Sequence, residues 1–311
     1  MVSLLGAVIG TLPLDHEIFP RISGHALFRQ AVVGSLQRFL LLFVFLGGAA
    51  LMPAEFGDPT WIIAGMVIGI GLLWSRGGGM WLGRKLGLIV PAPERLRKIA
   101  AEMSLKMSIP FREVLVIRVS VAQALAVAEM KTLLFTERLL ELSPDDELAA
   151  ICAHELAHLT ESRVARYSRS VSLLTFLPWL VFNPLIHRWG MMGLFALCGI
   201  SFAAPRVYRF ISRKLESRAD QMAKVNGDNA GTYARALTRL YEDSLLPAVV
   251  AKKTTHPDLY DRILAAGVPS DFARPIPAKA MAWHGTLFAM LLGGLLAILA
   301  IRTIIAAGGG L

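Results

Sequence analysis

Charged residues are scarce in this sequence: Asp, Glu, Lys and Arg make up 18% of its 311 residues, against 55% apolar. So little charge cannot cover an ordinary water-soluble domain, which excludes a freely soluble enzyme. The same apolar excess excludes a disordered chain, and there is no internal repeat. Cysteine is scarcer still. Cys152 and Cys198 sit in apolar surroundings without CxxC spacing, which excludes a disulfide framework and reads as two buried, reduced thiols. The opening MVSLLGAVIGTLPLDHE has no positive n-region and is too short to span, so residues 1–35 read as an interfacial or packing segment. Acidic residues are outnumbered, 23 against 32 Lys and Arg, for a net +9. The basic residues flank apolar runs instead of forming one stripe, which points to an anionic lipid bilayer as partner and not to nucleic acid.

What the sequence does have is long uncharged runs, at Phe39–Ala54, Pro59–Ser75, Val171–Ile186, Trp189–Pro205 and Met281–Ile301. Each approaches the roughly 17 to 25 residues that a bilayer-crossing helix needs. We read four spans and a fifth at the C-terminal end, with a helical hairpin buried inside the protein as the alternative for 171–205. Arg21, Arg29 and Arg38 precede the first pair and Arg76, Arg84 and Lys85 follow it, while the loop between carries Glu55 and Asp58. Arg206, Arg209, Arg213 and Lys214 follow the second pair, and Arg188 alone dissents. The positive-inside rule then places residues 76–170 in the cytoplasm.

The organisation expected is an N-terminal segment (1–35), a transmembrane pair (36–76), the first part of a catalytic domain (77–170), a membrane hairpin (171–205), its second part (206–280) and a C-terminal span (281–311). Ala92–Met107 has helical periodicity, and Glu113–Val119 and Leu125–Phe135 read as strands. The fold class is mainly α and integral to the membrane, with four to five transmembrane helices and an α+β domain holding a small sheet.

Ser143-Pro144-Asp145-Asp146 reads as a helix start, with Ser143 as cap, and the helix should run from about Pro144 to about Arg166. It carries His154-Glu155-Leu156-Ala157-His158, whose spacing stacks both imidazoles on one face, suited to one zinc ion, with Glu155 within reach of its water. Catalytic zinc takes three protein ligands. Glu216, in Glu216-Ser217-Arg218-Ala219-Asp220, is the expected third, and Asp220, one turn on, is placed to accept the spare N–H of a ligating His. Ion pairing of Asp220 with Arg213, Lys214 or Arg218 is the alternative.

These motifs, with DELAAICAHELAHL, ESRAD and THPDLYDRI at Thr255–Ile263 in that order, resemble the HtpX-like membrane zinc metallopeptidases, relatives of the CAAX prenyl endopeptidases, from about Leu36 to Ile263. The resemblance implies a gluzincin-type zinc endopeptidase with one zinc per chain, held by His154, His158 and Glu216, and Glu155 as general base. It implies that His256 and Arg262 stabilise the transition state or hold the site; pairing of Arg262 with Asp258 or Asp261 is the plainer reading. Where relatives carry Asn-Ala-Phe-Ala on a strand bordering the cleft, this chain has Gln123-Ala124-Leu125-Ala126. Strand addition uses main-chain groups, so binding survives that change while subsite preference is altered. The implied substrates are protein or peptide chains, membrane proteins in quality control above all. A site-2-type intramembrane protease and a non-catalytic, zinc-stabilised membrane scaffold or signalling protein are the alternatives.

Overall fold

The computed structural model describes residues 23–162, 177–226, 230–249, 256–269 and 273–277, with four isolated positions nearer the N-terminus. The expected C-terminal span, most of residues 1–35 and residues 171–176 lie outside the described residues.

Helix α1 (Gly24–Ala50) is followed by a turn at Leu51–Pro53 that cuts the first apolar run short. Helix α2 (Asp58–Lys85) starts with Asp58 at the positive end of its dipole and Pro59 in its first turn. It widens into a π-turn at Trp74–Gly78, where Gly77 takes φ +123°, a left-handed conformation that disfavours any side chain. Among the described residues two helices, α2 and α6 (Phe182–Asn226), are long and apolar enough to cross a bilayer, with Phe39–Ala50 of α1 as a shorter apolar stretch.

The second pair of runs, whose first residues lie outside those described, folds back on itself. Residues 177–188 and 191–205 are two limbs of one hairpin that reverses at Gly190, whose φ of +52° and ψ of −134° only glycine adopts without strain. Trp179 Nε1 donates to Ser201 Oγ (2.6 Å), and Leu185 lies so close to Gly193 that a Cβ there would meet its side chain and its carbonyl oxygen at 2.9 Å or less. These pairs set the limbs antiparallel. Phe182, Met191, Met192, Phe195 and Phe202 point outward without protein cover. At the hairpin apex Phe56 contacts Trp61 and Trp189 (5.9 and 5.6 Å between centroids) beside Glu55 and Asp58, the amphipathic ring cluster found where lipid meets water. Cys152 is buried as expected, but Cys198 is exposed on the apolar limb.

After the second limb, α6 does not stop. It runs unbroken through Pro205 to Asn226, so the apolar limb and the polar segment bearing Glu216 and Asp220 are one rod.

The polar domain is built on a four-stranded sheet, β1 (Ile89–Pro91), β2 (Glu113–Ile117), β3 (Ala124–Val127) and β4 (Thr132–Thr136), in the order β1-β2-β4-β3. β2 and β4 are parallel, and the outer strands pair antiparallel. The apolar run Leu125–Phe135 is thus a hairpin of two strands, turning at Lys131 with φ +50°. Helix α3 (Glu94–Met107) buries Leu96, Ile99, Ala100 and Met103 at helical spacing against Leu133, Phe135, Leu139 and Leu148. After the short α4 (Glu137–Leu142), α5 (Asp145–Leu159) is buried along nearly its whole length, between α3, β3, α6 and α7 (Ala230–Asp243). A helix apolar on every side but one belongs in a core; the exceptional positions of α5 are Glu147, His154, Glu155 and His158.

Both ends of α5 differ from the sequence reading. Its cap is Pro144, not Ser143, whose hydroxyl is buried without a hydrogen bond. Arg95 organises this end instead, donating to Leu140 O, Ser143 O and Asp145 Oδ1. Buried Glu147 is held by Arg239 Nε at 2.8 Å, which pins α5 to α7. The helix ends at Leu159, well before Arg166, because the chain turns at Thr160 and brings Glu161 back onto His158.

Candidate active site

Two buried helices converge here. α5 presents His154 and His158, and α6 brings Glu216 from the far side of the hairpin, so groups 58 residues apart in sequence meet with all three side chains buried. The two Nε2 atoms are 3.1 Å apart; Glu216 Oε2 lies 3.5 Å from His154 Nε2 and Oε1 3.7 Å from His158 Nε2. Tetrahedral coordination at 2.0–2.1 Å places ligand atoms about 3.3 Å apart, which this spacing matches.

The hydrogen bonds around the imidazoles fix their tautomers. Tyr233, on α7, donates its hydroxyl to Asp220 Oδ1 (2.5 Å), so its oxygen must accept from His154 Nδ1 at 2.8 Å; Asp220 Oδ1 itself is 3.1 Å from that nitrogen. His158 Nδ1 meets Glu161 Oε1 at 2.5 Å. Each ring thus carries its proton on Nδ1 and turns a bare Nε2 lone pair inward. Glu216 Oε2 is also buried without a hydrogen bond, although His256 Nδ1 is 3.0 Å away, close but outside hydrogen-bond geometry. Among the described residues two imidazole nitrogens and a carboxylate thus converge within 3.7 Å of one another, an arrangement that favours a cation between them.

Burial alone lowers the basicity of His154, but the carboxylates of Asp220 and Glu216, with the charge of Glu155, outweigh it and raise its pKa from 6.5 to about 9. Without metal, a proton takes the cation's place. The sign follows: a raised folded-state pKa stabilises below the unfolded value and is lost as pH rises through the folded one. The chelated protein should therefore lose thermal stability between about pH 6.5 and 9. Metal, which must displace that proton, should bind more tightly over the same interval, by up to about tenfold per pH unit. Titrating metal affinity and thermal midpoint against pH checks both slopes.

Residues 92–267 match peptidase family M48, more than half the chain. The chain belongs to that family. A protease HtpX homolog of Trichormus variabilis is 30% identical over 224 residues, spanning 62% of this chain and 76% of that protein. This is an HtpX-like M48 metallopeptidase, and the buried acceptors are the group of this M48 chain, among the described residues, that could hold its metal.

Around them the M48 fold distributes the other expected residues. Glu155 borders a cavity of about 240 Å³ together with Gln123, Ala124, His154, Tyr233 and His256, and no hydrogen-bond or ion-pair partner engages its carboxylate among the described residues. His256 is about half exposed (53% of its side chain). Arg262, on α8 (Leu259–Ala265), is instead buried and makes a two-pronged pair with Asp220, Nε to Oδ2 at 2.9 Å and NH2 to Oδ1 at 2.7 Å. Asp258 and Asp261 pair with Arg274. Arg213, Lys214 and Arg218 make no ion pair with Asp220; Arg218 donates to Thr160. β3 is an edge strand beside α5, with Gln123 and Leu125 exposed, Ala124 half-buried and Ala126 buried.

Two members of the site escaped the sequence reading. Glu161 had a signal, since it stands three residues after His158 and so on the same helix face. Tyr233 had none: its hydroxyl reaches His154 only through the packing of α7. Arg262 donates to Tyr233 as well (2.8 Å), so Asp220, Tyr233 and Arg262 form one closed network behind His154. Asp220→Asn should weaken metal binding about 10- to 100-fold and strand the Arg262 charge. Tyr233→Phe, which keeps the carboxylate, should cost less. A competitive chelator titration separates the two.

Proposed function

We propose that this chain is a zinc-dependent endopeptidase that cleaves membrane proteins at the cytoplasmic face of the membrane, as part of their quality control. The observation that carries the reading is the buried convergence of His154 Nε2, His158 Nε2 and Glu216 beside the carboxylate of Glu155, which has no hydrogen-bond or ion-pair partner among the described residues. Two imidazoles and one carboxylate with room for a fourth ligand are a zinc hydrolase set. A zinc ion held there supplies Lewis acidity toward water and toward a peptide carbonyl.

This chain's residues do the rest. Glu155, open to the cavity, takes the proton from the attacking water and returns it to the leaving amine. His256, at the cavity mouth, is placed to donate to the developing oxyanion. Arg262 acts at one remove, holding Asp220 and through it His154. The free edge of β3 offers main-chain groups to an extended substrate, with Gln123 to Ala126 as its subsites.

Membrane attachment is supported by the apolar parts of α2 and α6, and the cytoplasmic placement by the basic ends of both helices opposite the acidic, aromatic apex. A site-2-type protease would carry its motif on a membrane-crossing helix. α5 is instead packed on a sheet and begins with three acids. The reading is tested on the purified full chain with a membrane-protein substrate, with and without chelator: cleavage should stop on chelation and return with zinc. Cleavage unaffected by chelation would end it.

A further inference from the structure

Where α6 leaves its apolar limb it carries Arg206, Arg209, Arg213 and Lys214 within nine residues. Together with Phe210 and Ser217 they border a groove of about 830 Å³. Elsewhere in the polar domain Arg95, Arg138, Arg239 and Arg262 each pair with a carboxylate. Among the described residues no carboxylate pairs with any of these four, and none borders the groove. Arg213 NH1 is buried there without a hydrogen-bond partner, an uncompensated donor on a charged group that costs free energy until an acceptor arrives.

Apolar surface is interleaved with this charge. Arg206 stacks on Phe202 at 3.3 Å and Lys214 sits 4.5 Å over Phe210, and Phe202, Val207 and Phe210 are exposed. Phe202, on the apolar limb, lies one helical turn before Arg206 at the edge of the groove. A ligand that fits is anionic at one end and apolar at the other. Guanidinium groups match phosphate oxygens in pairs, and the exposed rings continue the surface on which acyl chains lie.

We propose that this groove binds the phosphate headgroup of an anionic phospholipid, with its acyl chains along Phe202, Val207 and Phe210. The proposal rests on the membrane attachment argued above. Since Arg213 and Glu216 are less than one turn apart on the same unbroken helix, the bound lipid sets the height of the third metal ligand over the membrane surface.

The test is native mass spectrometry of the full chain from micelles containing phosphatidylglycerol or phosphatidylcholine, comparing wild type with Arg209→Gln/Arg213→Gln. A control, Lys98→Gln/Arg112→Gln, removes the same charge from exposed positions away from the groove. Wild type and control should retain phosphatidylglycerol over phosphatidylcholine. The groove variant should lose about 30-fold of that preference, from two basic side chains at roughly a factor of five each. An undiminished preference in the groove variant, or an equal loss in the control, overturns the proposal. So does displacement of the lipid by inorganic phosphate or by an acidic peptide, which would assign the groove to a soluble anion or a protein segment. If wild type retains neither lipid and stays out of vesicles of both compositions, it is the membrane reading that fails.

Discussion

Glu155→Gln is expected to abolish measurable proteolysis while leaving metal content at that of the wild type. The amide is nearly the same size as the carboxylate and Glu155 has no hydrogen-bond or ion-pair partner among the described residues to lose, so the core around α5 and the three metal-facing acceptors should stay as they are. What disappears is the basic lone pair that accepts the proton of the attacking water. Removing a positioned general base costs about 10²- to 10⁴-fold in rate, enough to take a slow protease below detection. Elemental analysis and a cleavage time course on the same preparation give the answer. Proteolysis at the wild-type rate would remove Glu155 from the chemistry and, with it, the strongest link between the α5 motif and hydrolysis.

The second large effect belongs to Glu216→Gln. Glu216 Oε2 faces the imidazole pair with no hydrogen bond of its own, and substituting the amide removes the one negative charge among the three acceptors. Loss of a partner behind a ligand costs about 10- to 100-fold in metal affinity, so loss of the ligand's charge should exceed about 100-fold. The variant should purify with metal well below one ion per chain and should not cleave. The pair of variants is diagnostic: one keeps metal and loses activity, the other loses both. If Glu216→Gln keeps one tightly bound ion per chain, the third ligand lies elsewhere and the convergence of α5 and α6 has another purpose.

Legibility in the sequence was uneven for local physical reasons. The His154-Glu155-His158 face follows from helix geometry alone, because a spacing of four residues allows only one arrangement once α5 forms. The two-limbed apolar segment before Glu216 was readable as a hairpin from the length of its runs. Among the described residues two helices are long and apolar enough to cross a bilayer, and residues 171–176 and 281–301 lie outside the described residues. The cap of α5 was not legible. Ser143 has the right residue type, but the helix starts one residue later, with Pro144 as the cap residue and the Ser143 hydroxyl left without a hydrogen bond. For Arg262 the readings were stabilising the transition state, holding the site, or pairing with Asp258 or Asp261; the fold pairs it with Asp220 behind His154.

The sequence by itself determined the chemistry on offer: which side chains could ligate, which could take a proton, and where apolar surface exceeded what water tolerates. Those are properties of residue type and short-range spacing, and they survive without any knowledge of the fold. Only the tertiary structure decided that α6 is one rod from hairpin to ligand, that Tyr233 and Arg262 close the network behind His154, and that β3 lies at the free edge beside the cavity. Such contacts join residues dozens of positions apart, and their geometry is set by how buried helices pack, which no local pattern encodes.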